Sequence, residues 1–127
     1  MKDFQVFSLI KKHLNEQMDD QAIYFTPYQD MQKPCCVIEL EEFWSNTLPL
    51  KDSIKTLIKF RATCFSSDNL LSTQVALSQR VVNLLDGLNL ELENNDKAIV
   101  KFSQTLVNAP SKAAVQSVSQ VFEAIIR

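Results

Sequence analysis

Ser53-Ile54-Lys55-Thr56-Leu57-Ile58-Lys59-Phe60-Arg61-Ala62-Thr63-Cys64-Phe65 is the stretch that decides the fold. Ile54, Ile58, Phe60, Ala62 and Cys64 fall on one side of an extended chain, with Lys55, Lys59, Arg61 and Thr63 on the other. Such alternation predicts a strand with one face on a core and one face in water. The segment before it, Cys35 to Trp44, alternates in the same way. Cys36, Ile38, Leu40 and Trp44 are expected on one face, and Val37, Glu39, Glu41 and Phe43 on the other. The polar stretch 45–52 separates these two strands, so antiparallel pairing is the default.

Helices flank this pair. In residues 4–18, Phe4, Phe7, Ile10, Leu14 and Met18 recur at helical spacing, and Asp3 is a candidate N-cap. In residues 68–86, Leu71, Val75, Val82 and Leu85 form a stripe that Leu70, Leu77, Val81 and Leu84 widen. Ser66-Ser67-Asp68 offers caps at its start, and Gly87, the sole glycine, offers a left-handed stop just past its end. Ala22 to Phe25 is a short extended run, and residues 26–34 read as an irregular loop between Pro27 and Pro34.

Leu88, Leu90 and Leu92 alternate with polar neighbours. Asn94-Asn95-Asp96 tolerates left-handed backbone and predicts a turn. Ala98, Val100, Phe102 and Leu106 then share a face opposite Lys97, Lys101, Ser103 and Thr105, which completes a hairpin. Residues 115–126 fit helical and strand periodicity equally well. No repeat, low-complexity tract or linker interrupts residues 1–127. The order of elements predicts a single α+β domain, a mostly antiparallel sheet with two helices packed on one face.

Hydrophobic residues make up 46% of the 127, and charged residues 22%. That is enough apolar material to bury a core. Thirteen Lys and Arg are interspersed with fifteen Asp and Glu, giving a net charge of -2 and a pI near 5.3. This balance lacks the basic footprint of a nucleic-acid binder and disfavours an anionic membrane surface. No apolar run is long enough to cross a bilayer, and the N-terminus does not read as a signal peptide. A cytoplasmic start is therefore expected. Cys35, Cys36 and Cys64 are expected as free thiols, because sequence neighbours rarely pair with each other.

The residues give little support for catalysis. His13 is the sole histidine, on the polar-leaning side of the first helix. The cysteines sit among apolar neighbours, where a thiol behaves as a small hydrophobe. Cys35 and Cys36 point to opposite faces of a strand and cannot easily share a metal. Glu39 and Glu41 read as a solvated strand face, and one glycine cannot make a phosphate loop. The expectation is no enzyme, no cofactor and no metal. Phe43-Trp44 is more informative. Two large aromatics end a strand and open a loop, either to plug the edge of the core or to anchor a protein interface. Leu48 and Leu50 in the following loop join them as candidate interface residues.

The order of elements resembles the tail-terminator, or tail-completion, proteins of long-tailed bacteriophages and gene transfer agents. The resemblance rests on an amphipathic first helix and the stretch Ala22-Ile23-Tyr24-Phe25-Thr26-Pro27. It continues through Pro34 ahead of the strand Cys35-Cys36-Val37-Ile38-Glu39-Leu40. The long strand to Phe65, the helix near Asp68 and the closing segment Gln120-Val121-Phe122-Glu123-Ala124-Ile125-Ile126-Arg127 follow. The chain departs from the family in its scarcity of glycine and in the glutamines before Pro34. The resemblance implies a strand at the C-terminus. It also implies a homo-oligomeric ring, usually of six subunits, that caps the tail tube, ends its polymerisation and meets the head-tail connector. Tail-tube and connector proteins would be its partners. DNA would pass through the ring without being held tightly, and the protein would move from the cytoplasm into the virion. A cytoplasmic adaptor or chaperone-like module is the alternative reading.

Overall fold

The computed structural model describes residues 2–18, 21–25, 32–45, 56–68, 70–108 and 117–127. Among the described residues, two α-helices and six strands follow one another: α1 (Lys2–Gln17), β1 (Ala22–Tyr24), β2 (Cys35–Ser45), β3 (Thr56–Phe65), α2 (Leu71–Leu85), β4 (Asn89–Glu91), β5 (Lys97–Asn108) and β6 (Ser117–Ile126), with a 3-10 turn at Glu93–Asn95. The strands form one curled sheet in the order β1-β2-β3-β6-β5-β4, so this is an α+β fold. All neighbours pair antiparallel except β1 and β2, which are parallel. The antiparallel pairing expected for the two central hairpin strands is present, with Ile38 opposite Ala62 and Leu40 opposite Phe60. The C-terminal segment is a strand, inserted between β3 and β5.

One large buried cluster joins the two helices to the sheet. Val6, Ile10, Leu14 and Met18 supply the α1 row. Val6 takes the position expected of Phe7, which instead lies half-buried beside it. From the sheet come Cys36, Ile38, Ile58, Phe60, Ala62, Cys64, Val100, Phe122, Ala124 and Ile126. Phe60 sits at the centre: its ring stacks on Phe122 at 5.4 Å and meets the edge of Phe7 at 5.7 Å. A smaller cluster of Cys35, Val37 and Phe65, with Ala22 and Tyr24, covers part of the face expected to be wet.

Two β-bulges revise the expected faces. In β2 the register slips between Leu40 and Glu42, so Phe43 stands opposite Ile58 and Trp44 opposite Leu57. The two aromatics therefore exchange the faces that strict alternation assigned to them. In β5 a slip between Phe102 and Gln104 puts Leu106 opposite Ser119, away from the face of Ala98 and Val100. An extra residue on one strand inverts every side chain that follows it.

Helix α2 is also rolled from its expected setting. Its buried residues are Gln74, Ser78, Val81, Val82 and Leu85, whereas Leu70, Leu71 and Val75 are exposed. A polar contact accompanies this setting. The Gln120 side-chain amide on β6 donates to Ser78 Oγ at 3.0 Å, and Thr105 Oγ1 donates to Gln120 Oε1 at 2.6 Å.

The expected caps need one correction. Leu70 is the N-cap of α2 and makes no side-chain capping bond. Asp68 lies two residues earlier, where its carboxylate accepts from Leu70 N, Ser66 Oγ and Thr73 Oγ1. These bonds hold its pKa below the ordinary carboxylate value, the Leu70 amide first among them. Gly87 does follow the end of α2 with φ +81°, and its N–H donates to Val100 O at 2.7 Å. Asn95 takes φ 63° in the turn before β5. The side chain of Asp3 and the stretch 46–52 lie outside the described residues.

Candidate functional site

The candidate interface residues fall on the last turns of β2. Phe43 and Trp44 are each 48% exposed, and Leu40 beside them is 46% exposed. Neither aromatic plugs the core. An aromatic ring left half in water loses much of the stabilisation that burial would give it, and grouped exposed apolar side chains mark contact sites more often than isolated ones do. Because of the bulge, Phe43 and Leu40 lie on the face of Ile58 and Phe60, and Trp44 lies on the face of Lys59 and Arg61. The pair thus wraps the end of the strand on both sides. Leu48 and Leu50 lie outside the described residues.

The backbone at this place is also open. β1 pairs with β2 only over Cys35, Cys36 and Val37. Beyond Val37, residues 38–45 bond to β3 on one side and meet no strand on the other among the described residues. An edge of this length presents a row of amide donors and carbonyl acceptors to any neighbouring strand. Its exposed side chains Glu41 and Glu42 are acidic, and Glu39 is half-buried. Arg61 Nε lies 3.4 Å from Glu41 and 4.0 Å from Glu39, so one guanidinium is shared by two carboxylates.

The far side of the sheet repeats the situation. β4 covers only Lys97, Ala98 and Ile99 of β5. Val100 is bonded by Gly87 and Leu88, and the Phe102 N–H donates to Asp86 Oδ1 at 3.0 Å. Residues 103–108 have no strand on their outer side among the described residues, and Val107 there is 63% exposed.

The groups weighed for chemistry are dispersed or buried. His13 is half-buried on α1. Cys35, Cys36 and Cys64 are free and fully buried. Cys35 belongs to the small cluster and Cys36 to the large one, so they face opposite ways as expected. Cys36 stands directly across from Cys64, a pairing that alternation alone does not reveal. A hydrogen bond between those two thiols, then burial, keeps the Cys36 proton well above the ordinary thiol range. Burial raises Cys35 from 9.0 to about 11. A thiol so held is a poor nucleophile, because the thiolate is the reactive form. Among the described residues, no three His, Cys, Asp or Glu side chains gather as a metal would require. No helix among them is long and apolar enough to cross a membrane.

Strict alternation missed the bulge that sets the two aromatic faces, although its signal is present. Glu41-Glu42 followed by Phe43-Trp44 breaks the period of two twice in four residues, as an inserted residue does. No protein-family model matches the chain, and no curated protein is significantly similar to it.

Proposed function

We propose that this protein is a structural subunit that assembles into a homo-oligomeric ring, of six copies on the family resemblance. In this reading the ring caps a phage-type tail tube, ends its polymerisation and joins it to the head-side connector. The observation that carries the assembly reading is the open end of β2, where Leu40, Phe43 and Trp44 are half-exposed beside a strand edge that meets no further strand among the described residues. Supporting it, both helices contribute to the same buried cluster, which fits packing on one sheet face and leaves the sheet edges for contacts between subunits. The tail-terminator assignment rests on the order of elements, and the C-terminal strand agrees with that order. The protein would act in the cytoplasm during assembly and then in the particle, without catalysis and without gripping DNA.

Native mass measurement with negative-stain imaging at high concentration tests this reading. A closed ring is the expected result, and it should add to the end of tail tubes when a tail-tube protein is supplied. A strict monomer that also ignores tube ends would overturn it in favour of an adaptor with a different protein partner.

A further inference from the structure

We propose that the ring contact is an edge-to-edge strand pairing: the open edge of β2 in one copy docks against the open edge of β5 in the next. The proposal rests on the ring reading above and specifies its interface.

Three observations converge on this occupant. The first is strand direction. With β2, β3, β6 and β5 successively antiparallel, β2 and β5 run in opposite directions at opposite ends of the four-strand core. Two copies standing the same way up therefore bring β5 beside β2 antiparallel, which continues the sheet without inverting a subunit. A contact between two different edges is heterologous and closes into a ring when the rotation permits.

The second is the extent of the free edges. Residues 38–45 of β2 and 103–108 of β5 lack an outer strand among the described residues, so each can offer several successive backbone groups. Each carries exposed apolar side chains at the contact: Leu40, Phe43 and Trp44 on one, Val107 on the other.

The third is charge. β2 carries Glu39, Glu41 and Glu42, whereas β5 carries Lys97 and Lys101 and no acid from end to end. The Asp86 carboxylate beside β5 is engaged by the Phe102 amide. A two-fold contact of β2 with β2 would set three carboxylates against three, and like charges across a strand pair are unfavourable. The mixed contact sets the acids against the uncharged stretch Ser103 to Asn108, which removes that repulsion.

Cysteine cross-linking tests the interface. Within one chain, β2 and β5 are three strand spacings apart, roughly 14 Å, beyond the ~7 Å reach of a disulfide. A bond between them must therefore join two copies. Glu42→Cys is combined in turn with Gln104→Cys, Leu106→Cys and Asn108→Cys, which share its face in successive registers. Oxidation is followed by denaturing electrophoresis without reductant. A ladder of covalent multimers from one of these pairs, and none from the corresponding single variants, is the expected result. Rings that form normally but yield no ladder from any pair overturn this interface and leave the ring reading intact. A dimer from Glu42→Cys alone overturns it in favour of a two-fold contact. Absence of any oligomer in the unmodified protein, both alone and with tail tubes supplied, removes the ring reading and this interface together.

Discussion

Trp44 stands directly opposite Leu57 in the pairing of β2 with β3, on the sheet face that carries Lys59 and Arg61. Its neighbour Phe43 stands opposite Ile58 on the other face. One inserted residue at Glu41 produces this division, and it gives a single strand end two apolar surfaces.

Because Trp44 is the sole tryptophan, intrinsic fluorescence reports on this place alone. At 48% exposure the indole should be open to acrylamide in the monomer and shielded on assembly. Trp44→Ala should leave the monomer folded, with a stability change of about 1 kcal/mol or less, and should reduce the oligomeric fraction. Circular dichroism and native mass measure the two effects separately. Loss of the folded monomer would make the residue part of the core.

Phe60 lies at the centre of the large cluster with no exposed surface, between Phe7 and Phe122. Phe60→Ala should cost about 3–5 kcal/mol, from lost transfer energy and the cavity left behind. Chemical denaturation should show a lower midpoint with an unchanged slope.

Gln74 is fully buried on α2, and neither its amide nitrogen nor its carbonyl oxygen has a hydrogen-bond partner among the described residues. Leaving such groups unpaired costs about 1–3 kcal/mol. Gln74→Met keeps the length and flexibility of the side chain and removes the polar atoms, so it should raise the thermal midpoint. A fall in midpoint would mean that the amide is satisfied in solution.

Gly87 has φ +81°, and a Cβ built there would meet no heavy atom within 4 Å. Gly87→Ala should therefore be destabilising through backbone conformation alone, by about 1–2 kcal/mol. Gly87→Asn should cost less than Gly87→Ala, since asparagine tolerates this region better. Urea titration of both variants makes the comparison.

The buried thiols fix an alkaline limit. Cys35 rises from 9.0 to about 11 on folding, and Cys36 is shifted in the same direction. Above pH 9 the unfolded chain loses these protons while the native state keeps them. Stability contributed by the raised values is thus fully present below pH 9 and is lost as the pH climbs towards 11. Replacing Cys35 with Ala should flatten part of that decline in thermal midpoint measured from pH 8 to 11.

Much of this architecture is set by local pattern. The alternation from Thr56 to Phe65 fixes β3 and its buried face, because side chains on an extended chain alternate whatever pairs with it. The stop at Gly87 and the left-handed Asn95 follow from backbone sterics confined to one residue. The candidate site was legible as composition, two adjacent aromatics at a strand end, but not as geometry.

Only the tertiary structure decided the rest, and the reason is the same in each case. The register of a strand depends on its partner, so the bulges at Glu41 and Ser103 and the faces of Trp44 and Leu106 emerge only when β2 meets β3 and β5 meets β6. Cys36 meets Cys64 across 28 residues of chain by that same pairing. The roll of α2 brings Ser78 within reach of Gln120, a partner 42 residues away, and leaves Leu71 and Val75 in water. Periodicity reports how a segment is wound, whereas the side chains it buries depend on surfaces supplied from elsewhere in the chain.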